Sequence, residues 1–307
     1  MDVSIVIINY KTSSLVKNCL ESVQRESKGF TFEAIVVDNS NDQDELARLK
    51  AVIALFPFAR IVDAHGNIGT SKGNNLGAKS CQGDFLFFLN SDTLLRNNAI
   101  FELLNCIKSD PRIGAVGPNL FDKNGNPAHS YLLNEVTLKT AKQGLSLFSP
   151  ILARLGKNKE FNHGQRPIEV RGYICLAAEL VSRPCFEAVQ GFDEDIFMYS
   201  EDALFGHQLM AKGYKQVCTP QAEITHFEGA SDEAVYSASK IQNMVNGSYI
   251  YRLKAFGKRE AIQYMIIMSR SLHKRARRNQ ILKKKTLVAN CSALSCAFKN
   301  KADIETK

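Results

Sequence analysis

The chain has 307 residues, 45% of them hydrophobic, with eight cysteines and no tryptophan, which suits one elaborated α/β domain plus an appendage better than two equal domains. No stretch approaches the ~20 apolar residues of a membrane-spanning helix, Met1-Asp2-Val3-Ser4 lacks the basic start of a secretory signal, and the scattered cysteines form neither zinc-like pairs nor a disulfide framework, so reduced core thiols in a cytoplasmic protein are expected. The formal charge of +8 is unevenly spread, because thirteen Lys and Arg face three acids between Lys258 and Lys307.

In chain order, Val3-Ser4-Ile5-Val6-Ile7-Ile8 is predicted as a buried strand that exits in Asn9-Tyr10. A helix follows, with Thr12, Ser13 and Ser14 as capping residues and Leu15, Val16, Cys19, Leu20 and Val23 at helical spacing. The next strand, Glu33 to Val37, ends in Asp38-Asn39-Ser40. Strand, helix, strand is a βαβ unit with a right-handed crossover. It delivers Asn9, Tyr10 and Asp38 to one sheet edge, where a carboxylate can accept from a base N–H and an aromatic ring can stack on the base.

His65 to Gly77 is a glycine-rich loop running into a short helical segment. It is not a P-loop, since Lys72 is followed by Gly73 where Ser or Thr is needed, and Gly66, Gly69 and Gly73 do not keep the dinucleotide spacing. Close backbone approach to a ligand and a plain surface turn read equally well here. The run Phe85 to Leu89 is then a central strand that stops abruptly in Asn90-Ser91-Asp92. Ligands of open α/β sheets sit just beyond such strand ends, so Asp92 is a candidate to hold a hard cation against a diphosphate; an Asx-turn is the plain alternative.

Taken together, Asn9-Tyr10, Asp38-Asn39-Ser40, Gly66-Asn67-Ile68-Gly69, Gly73-Asn74-Asn75 and Leu89-Asn90-Ser91-Asp92 resemble the N-terminal half of a family 2 glycosyltransferase, the inverting class that uses nucleotide-diphospho-sugars. Arg171 to Leu176 resembles the acceptor-side strand, Gly191-Phe192-Asp193 through Glu201-Asp202 its Gly-Phe-Asp and Glu-Asp segments, and His226 to Ser231 closes the set. The resemblance spans roughly residues 1 to 255 and is greatest to bacterial rhamnosyl- and galactofuranosyltransferase-like enzymes of surface polysaccharide synthesis. It implies a GT-A type α/β fold, a mostly parallel central sheet flanked by helices, with residues 1–133 as the nucleotide-sugar half, 134–257 as the acceptor half and 258–307 as a basic helical extension.

The resemblance also implies the roles. Asp202 matches the general base, with Glu201 beside it for acceptor or sugar hydroxyls; adjacent carboxylates raise each other's pKa, which suits a base near neutral pH. Asp92 and His226 would hold a divalent cation, and imidazole suits Mn²⁺ somewhat better than Mg²⁺. Asn9, Tyr10, Asp38, Asn67, Lys72 and Asn74 would line the nucleotide pocket, together with Asn90, Ser91 and Asp92 from the strand tip. Two departures stand out: Asn90 replaces the first acid of an Asp-x-Asp motif, and the segment Ala203-Leu204-Phe205-Gly206-His207 lacks the further acid that related bacterial enzymes often carry there, with no role assigned to His207. A buried structural histidine is the alternative for His226, and a helix-dipole acidic pair for Glu201-Asp202.

The expected activity is transfer from a UDP- or dTDP-sugar to a glycan or lipid-linked acceptor, with acceptor specificity in the linker 134–167. Two other readings are a sugar-1-phosphate nucleotidyltransferase, whose basic triphosphate signature is not seen, and a non-catalytic glycan- or nucleic-acid-binding protein on the same scaffold. In the tail, Tyr264-Met265-Ile266-Ile267-Met268 precedes the clusters Arg270 to Arg278 and Lys283 to Lys285. That order suits an amphipathic helix on an anionic membrane at the inner face. A solvated or oligomer-forming helix is the second use and nucleic acid the third; the patch Met265 to Met268 reads equally well as buried against the catalytic body or a second subunit.

Overall fold

The structure, a computed structural model, describes residues 1–143, 160–227, 235–281 and 284–306. The first half alternates as the periodicity requires: β1 (Val3–Asn9), α1 (Ser13–Glu26), β2 (Phe32–Asp38), α2 (Gln43–Ile53), β3 (Ala59–Asp63), α3 (Gly69–Lys79), β4 (Phe85–Leu89), β5 (Thr93–Leu95), α4 (Ala99–Lys108) and β6 (Ile113–Phe121). Then come β7 (Tyr131–Leu132), α5 (Leu138–Gln143), β8 (Ile168–Val170), β9 (Tyr173–Ile174), β10 (Ala178–Ser182), α6 (Arg183–Ala188), α7 (Glu201–Ala211) and β11 (Lys215–His226). Three helices end the chain: α8 (Ala238–Phe256), α9 (Lys258–Ile281) and α10 (Lys285–Thr306).

Among the described residues one sheet runs β3-β2-β1-β4-β10-β6-β11-β5, with β8 also paired to β11. The strands β1, β2, β3, β4, β6 and β11 point one way and β5, β8 and β10 the other. The sheet is therefore mostly parallel, and its parallel strands carry unbroken apolar runs because both faces are covered. Phe87 of β4 enters the core on one face and Phe88 the core on the other. Register places Asn9 directly beside Asp38, so the two polar strand tips stand together.

The strand expected at Arg171 to Leu176 shrinks to β9, which pairs with β7 in a separate two-stranded ribbon. At Gly172 the backbone crosses so close to the Leu132 carbonyl that a side chain could not fit. The central strand is the later β10, built from Ala178-Glu179-Leu180-Val181-Ser182. A polar residue in mid-run conceals it from a hydrophobicity reading.

In the tail, the apolar patch follows the alternative of burial against the body. Met265 is buried in a cluster with Val245 and Tyr249 of α8 and with Leu294 and Phe298 of α10, Met268 packs against that cluster, and Ile267 is also buried. Most of the apolar patch Met265 to Met268 is therefore taken up inside the protein, with Ile266 left exposed, and residues beyond 257 pack onto the body as a helical layer. No described helix is long and apolar enough to cross a membrane. Gly144, Pro150 and Gly156 of the predicted specificity linker lie outside the described residues, as do Lys283 and the Glu228 to Ser231 part of the closing motif.

Candidate active site

The sheet's polar edge is tied by hydrogen bonds from strand tip to strand tip. Asn9 Nδ2 donates to Asp38 Oδ1 at 3.0 Å and to Ser40 Oγ at 3.2 Å, while its Oδ1 accepts from Thr12 N at 3.0 Å and from the Thr12 hydroxyl at 3.1 Å. The Thr12 hydroxyl meets Ser91 Oγ at 3.1 Å, joining the start of α1 to the tip after β4. Thr12 is thus the N-cap residue by position, but its side chain serves this web and makes no cap bond. The buried Glu45 of α2 supplies the acceptor for Ser13 N at 2.8 Å instead.

Asp92 and His226 come together from opposite ends of the sequence. Antiparallel pairing of β5 with β11 sets Thr93 beside His226, and Phe227 N donates to the Asp92 carbonyl at 2.9 Å. His226 Nε2 then stands 3.3 Å from Asp92 Oδ1. Both line a cavity of about 580 Å³ that also takes in Asn90, Ser91, Glu201 and Asp202. Among the described residues no group of three or more His, Cys, Asp and Glu forms a ready-made metal cage.

Asp202 is placed by packing. Phe192, in the Gly-Phe-Asp turn, has its ring centroid 4.8 Å from Phe88 of β4 and 4.6 Å from Phe205 of α7. Such pairs add about 0.5–1.5 kcal/mol each beyond burial, and they fix α7 one turn below Asp202. Asn75 of α3 clamps the same turn, donating to the Phe192 carbonyl at 2.8 Å and accepting from Phe192 N at 2.9 Å. Immediately before α7, Tyr199 and Ser200 both adopt left-handed backbone, at φ 70° and 71°. Two adjacent non-glycine residues there store strain of order 1–3 kcal/mol each, which the surroundings must hold in place. Gly247 of α8 packs against the Tyr199 carbonyl, and Thr70 N donates to the Phe197 carbonyl at 2.7 Å.

Burial raises the pKa of the Asp202 carboxyl above the ordinary carboxylate range, opposed by the Ala203 amide, which donates to Oδ1 at 2.8 Å, and by positive charge on His129. Glu201 is raised by burial and then by the charge of Asp202, and its Oε2 is buried without a partner. A third carboxyl, Glu179 of β10, is fully buried and has its Oε2 unpartnered; burial and the charge of Asp202 hold it well above its usual value.

A second cavity of about 560 Å³ continues from the first through Ile8, Thr70, Met198 and Tyr199. Tyr10, Asn39 and Asn67 line it, and Tyr10 is half exposed, free to stack on a flat ring. Asn9 and Asp38 line neither cavity: both are buried, and Asp38 Oδ1 is taken up by Asn9 and by Ser40 N at 3.1 Å. The residue of that tip that reaches the cavity is Asn39, whose Nδ2 donates to the Gly69 carbonyl at 3.1 Å and whose Oδ1 is buried without a partner. Lys72 is exposed on α3 and Asn74 is buried in it, and neither lines either cavity.

The profile of the family described as Glycosyl transferase family 2 matches residues 4–164. The chain belongs to that family. This family 2 glycosyltransferase is 26% identical over 237 residues to the O-antigen biosynthesis protein RfbC of Myxococcus xanthus, covering 76% of the chain and 18% of RfbC. It is also 26% identical over 198 residues to an N-acetylglucosaminyl-diphospho-decaprenol L-rhamnosyltransferase of Mycobacterium tuberculosis, covering 59% of the chain and 63% of the relative. The chain thus spans less than two thirds of the length of either. Its GT-A fold resembles the mannosyltransferase PcManGT of Pyrobaculum calidifontis, solved with GDP-Man and Mn²⁺, at a TM-score of 0.57 and 12% identity over 99% of this chain and 88% of that one. A GalNAc-T7 structure with UDP, GalNAc and Mn²⁺ gives 0.59 at 16% identity, over 83% of this chain and 50% of that one.

Sequence reading missed several residues of the site. His129 lines the main cavity, with Nδ1 3.1 Å from Glu160 Oε2 and Nε2 3.1 Å from the Tyr173 hydroxyl. It lies in an irregular stretch with no periodic signal. Lys240 and Asn243 of α8 line the second cavity, from a helix beyond the span that the family profile matches.

Proposed function

We propose that the chain is an inverting, metal-assisted hexosyltransferase that moves a sugar from a UDP- or dTDP-sugar to a hydroxyl of a glycan or lipid-linked saccharide in cell-surface polysaccharide synthesis. The observation that carries this reading is the meeting in one cavity of the Asp92 and His226 pair, 3.3 Å apart, with the buried carboxyl Asp202. Asp202 takes the acceptor proton as the acceptor oxygen attacks the anomeric carbon, while the bond to the diphosphate oxygen breaks on the opposite side. A raised pKa suits a base that must both ionise and accept near neutral pH. Glu201, kept protonated by burial and by Asp202, has a proton to donate to a sugar hydroxyl.

The Asp92 and His226 pair offers one carboxylate oxygen and one imidazole nitrogen, a donor set that fits Mn²⁺ and leaves positions open for diphosphate oxygens. Bound there, a divalent cation supplies charge to balance the departing diphosphate. Asn39 Oδ1, buried without a partner in a residue that lines the second cavity, is a second acceptor beside Asp38 for a uracil-like N3–H, and Lys240 is a better-placed cation for phosphate than Lys72. The surface-polysaccharide setting is supported by the names of the two curated relatives.

The basic end of α9 exposes Arg270, Arg275, Arg277 and Arg278. With Met265 and Ile267 buried in the helical layer, attraction to an anionic inner membrane surface rests on charge. The donor claim is tested by a thermal-shift screen of nucleoside diphosphates with Mn²⁺, in which a ligand at a hundred times its Kd adds about 2.7 kcal/mol. UDP or dTDP is expected to give the largest shift; a clear preference for ADP or GDP contradicts the donor assignment.

A further inference from the structure

A third cavity, of about 170 Å³, adjoins the main cleft through four shared residues, Tyr173, Ser200, Ala203 and Ser248. Its other walls bring together parts of the chain far apart in sequence: Glu135, Tyr251 and Arg252, and Tyr264 from α9. Arg252 is 2% exposed, yet its Nε is buried without a partner. The rest of that side chain is firmly held: Nη1 pairs with Glu260 at 3.2 Å, and the guanidinium carbon stands 4.1 Å from the Tyr264 ring centroid and 4.9 Å from that of Tyr251. An orphaned, immobilised N–H in a cavity wall is costly unless something accepts from it.

Both ionisable side chains of the cavity wall, Glu135 and Arg252, are already engaged within the protein. Glu135 Oε1 is 2.7 Å from His207 Nδ1 and accepts from the Tyr251 hydroxyl at 3.2 Å, while Arg252 is paired with Glu260. A phosphate or carboxylate would meet Glu135 as well as Arg252, so an uncharged occupant fits better. Aromatic walls with a few fixed polar groups suit a ring that is apolar on its faces and hydroxylated at its rim. At about 30 Å³ for each water of the liquid, about 170 Å³ holds roughly six waters, the space of one sugar ring and too little for two.

We propose that this cavity is the acceptor-sugar subsite, taking a single neutral pyranose ring with one hydroxyl accepting from Arg252 Nε and another directed past Ser200 towards Asp202. The assignment rests on the transferase reading above. It makes α9 part of the acceptor site through Tyr264 and Glu260, although the tail reads from sequence only as a basic extension.

The test uses the full chain with UDP and Mn²⁺ and a panel of methyl pyranosides, the methyl glycosides of glucose, galactose, mannose, rhamnose and N-acetylglucosamine, with Kd read by ligand-observed NMR. At least one is expected to bind, and Arg252→Lys, which keeps the charge but loses the Nε donor, should weaken it about tenfold. Ser248→Leu, which fills the shared opening, should do the same and carries the test if the buried Arg252→Lys fails to fold. Absence of binding by every pyranoside, or equal binding by wild type and the folded variants, overturns the subsite. Nucleotide-sugar hydrolysis in the same samples separates the two claims. Hydrolysis without pyranoside binding removes the subsite and leaves the transferase; pyranoside binding without hydrolysis of, or transfer from, any nucleotide-sugar removes the transferase and, with it, the acceptor assignment of the cavity.

Discussion

His226 Nε2 lies 3.3 Å from Asp92 Oδ1 although 134 positions separate them, because β5 and β11 pair antiparallel at the far edge of the sheet. If this pair holds the cation, Asp92→Ala and His226→Ala should each weaken nucleoside-diphosphate binding in the presence of Mn²⁺ by more than the roughly tenfold lost when a group that merely orients a metal ligand is removed. Binding without metal should change little. Calorimetric titrations with and without Mn²⁺ check this, and identical metal dependence in wild type and variants would count against the pair.

Gly247→Ala tests how the base is positioned. A β-carbon there collides with the Tyr199 carbonyl, so either α8 or the left-handed turn before Asp202 must move. Overpacking of this kind costs about 1–3 kcal/mol, and thermal denaturation should show it together with a fall in turnover. An unchanged melting temperature with full turnover would show that the turn does not depend on this contact.

Glu179 gives a stability prediction with a definite sign. Its folded-state pKa is raised by burial, then by the charge of Asp202, so the folded protein binds a proton that the unfolded chain releases above its ordinary glutamate pKa. Stability is therefore lost as pH rises from that ordinary value towards the raised one, at about 1.4 kcal/mol per pH unit. Glu179→Met, matched to the apolar layer, should melt higher than wild type at neutral pH, with the gain shrinking as pH falls towards 4. Melting curves across pH decide it, and a gain independent of pH would mean that Glu179 is not held protonated.

Much of the donor half was legible in the sequence, for a physical reason. Parallel strands buried on both faces have to be apolar runs, and their polar tips mark the ligand edge, so β1, β2 and β4 with Asn9, Asp38 and Asp92 could be read directly. Neighbours across the fold could not. For Asp38, nothing in a linear chain shows that Asn9 and Ser40 occupy its Oδ1 while the neighbouring Asn39 lines the cavity. The tail stayed open for a related reason: Met265 and its apolar neighbours beside arginines have the pattern of a membrane helix and equally that of a helix packed on α8 and α10.

The basic face of α9 can be tested apart from its buried face. Arg275→Glu, Arg277→Glu and Arg278→Glu combined should leave the melting temperature near wild type, because all three side chains are exposed. If the face meets anionic lipid, co-sedimentation with acidic vesicles should fall steeply, since each basic residue near such a surface contributes about 1 kcal/mol. Added salt should mimic the substitutions. Equal failure of wild type and variant to sediment with acidic vesicles would eliminate the membrane role.

The most direct test of the central claim is turnover by Asp202→Asn beside its affinity for the nucleoside diphosphate. The side chain keeps its shape but cannot take a proton, so transfer from the nucleotide-sugar should fall by about 10² to 10⁴, with nucleotide binding in Mn²⁺ close to wild type. The wild-type pH profile should show transfer lost on acidification through a pKa above the usual carboxylate range, as burial of Asp202 requires. Near-normal turnover in Asp202→Asn would contradict the assignment of the base and, with it, the mechanism proposed for this cavity.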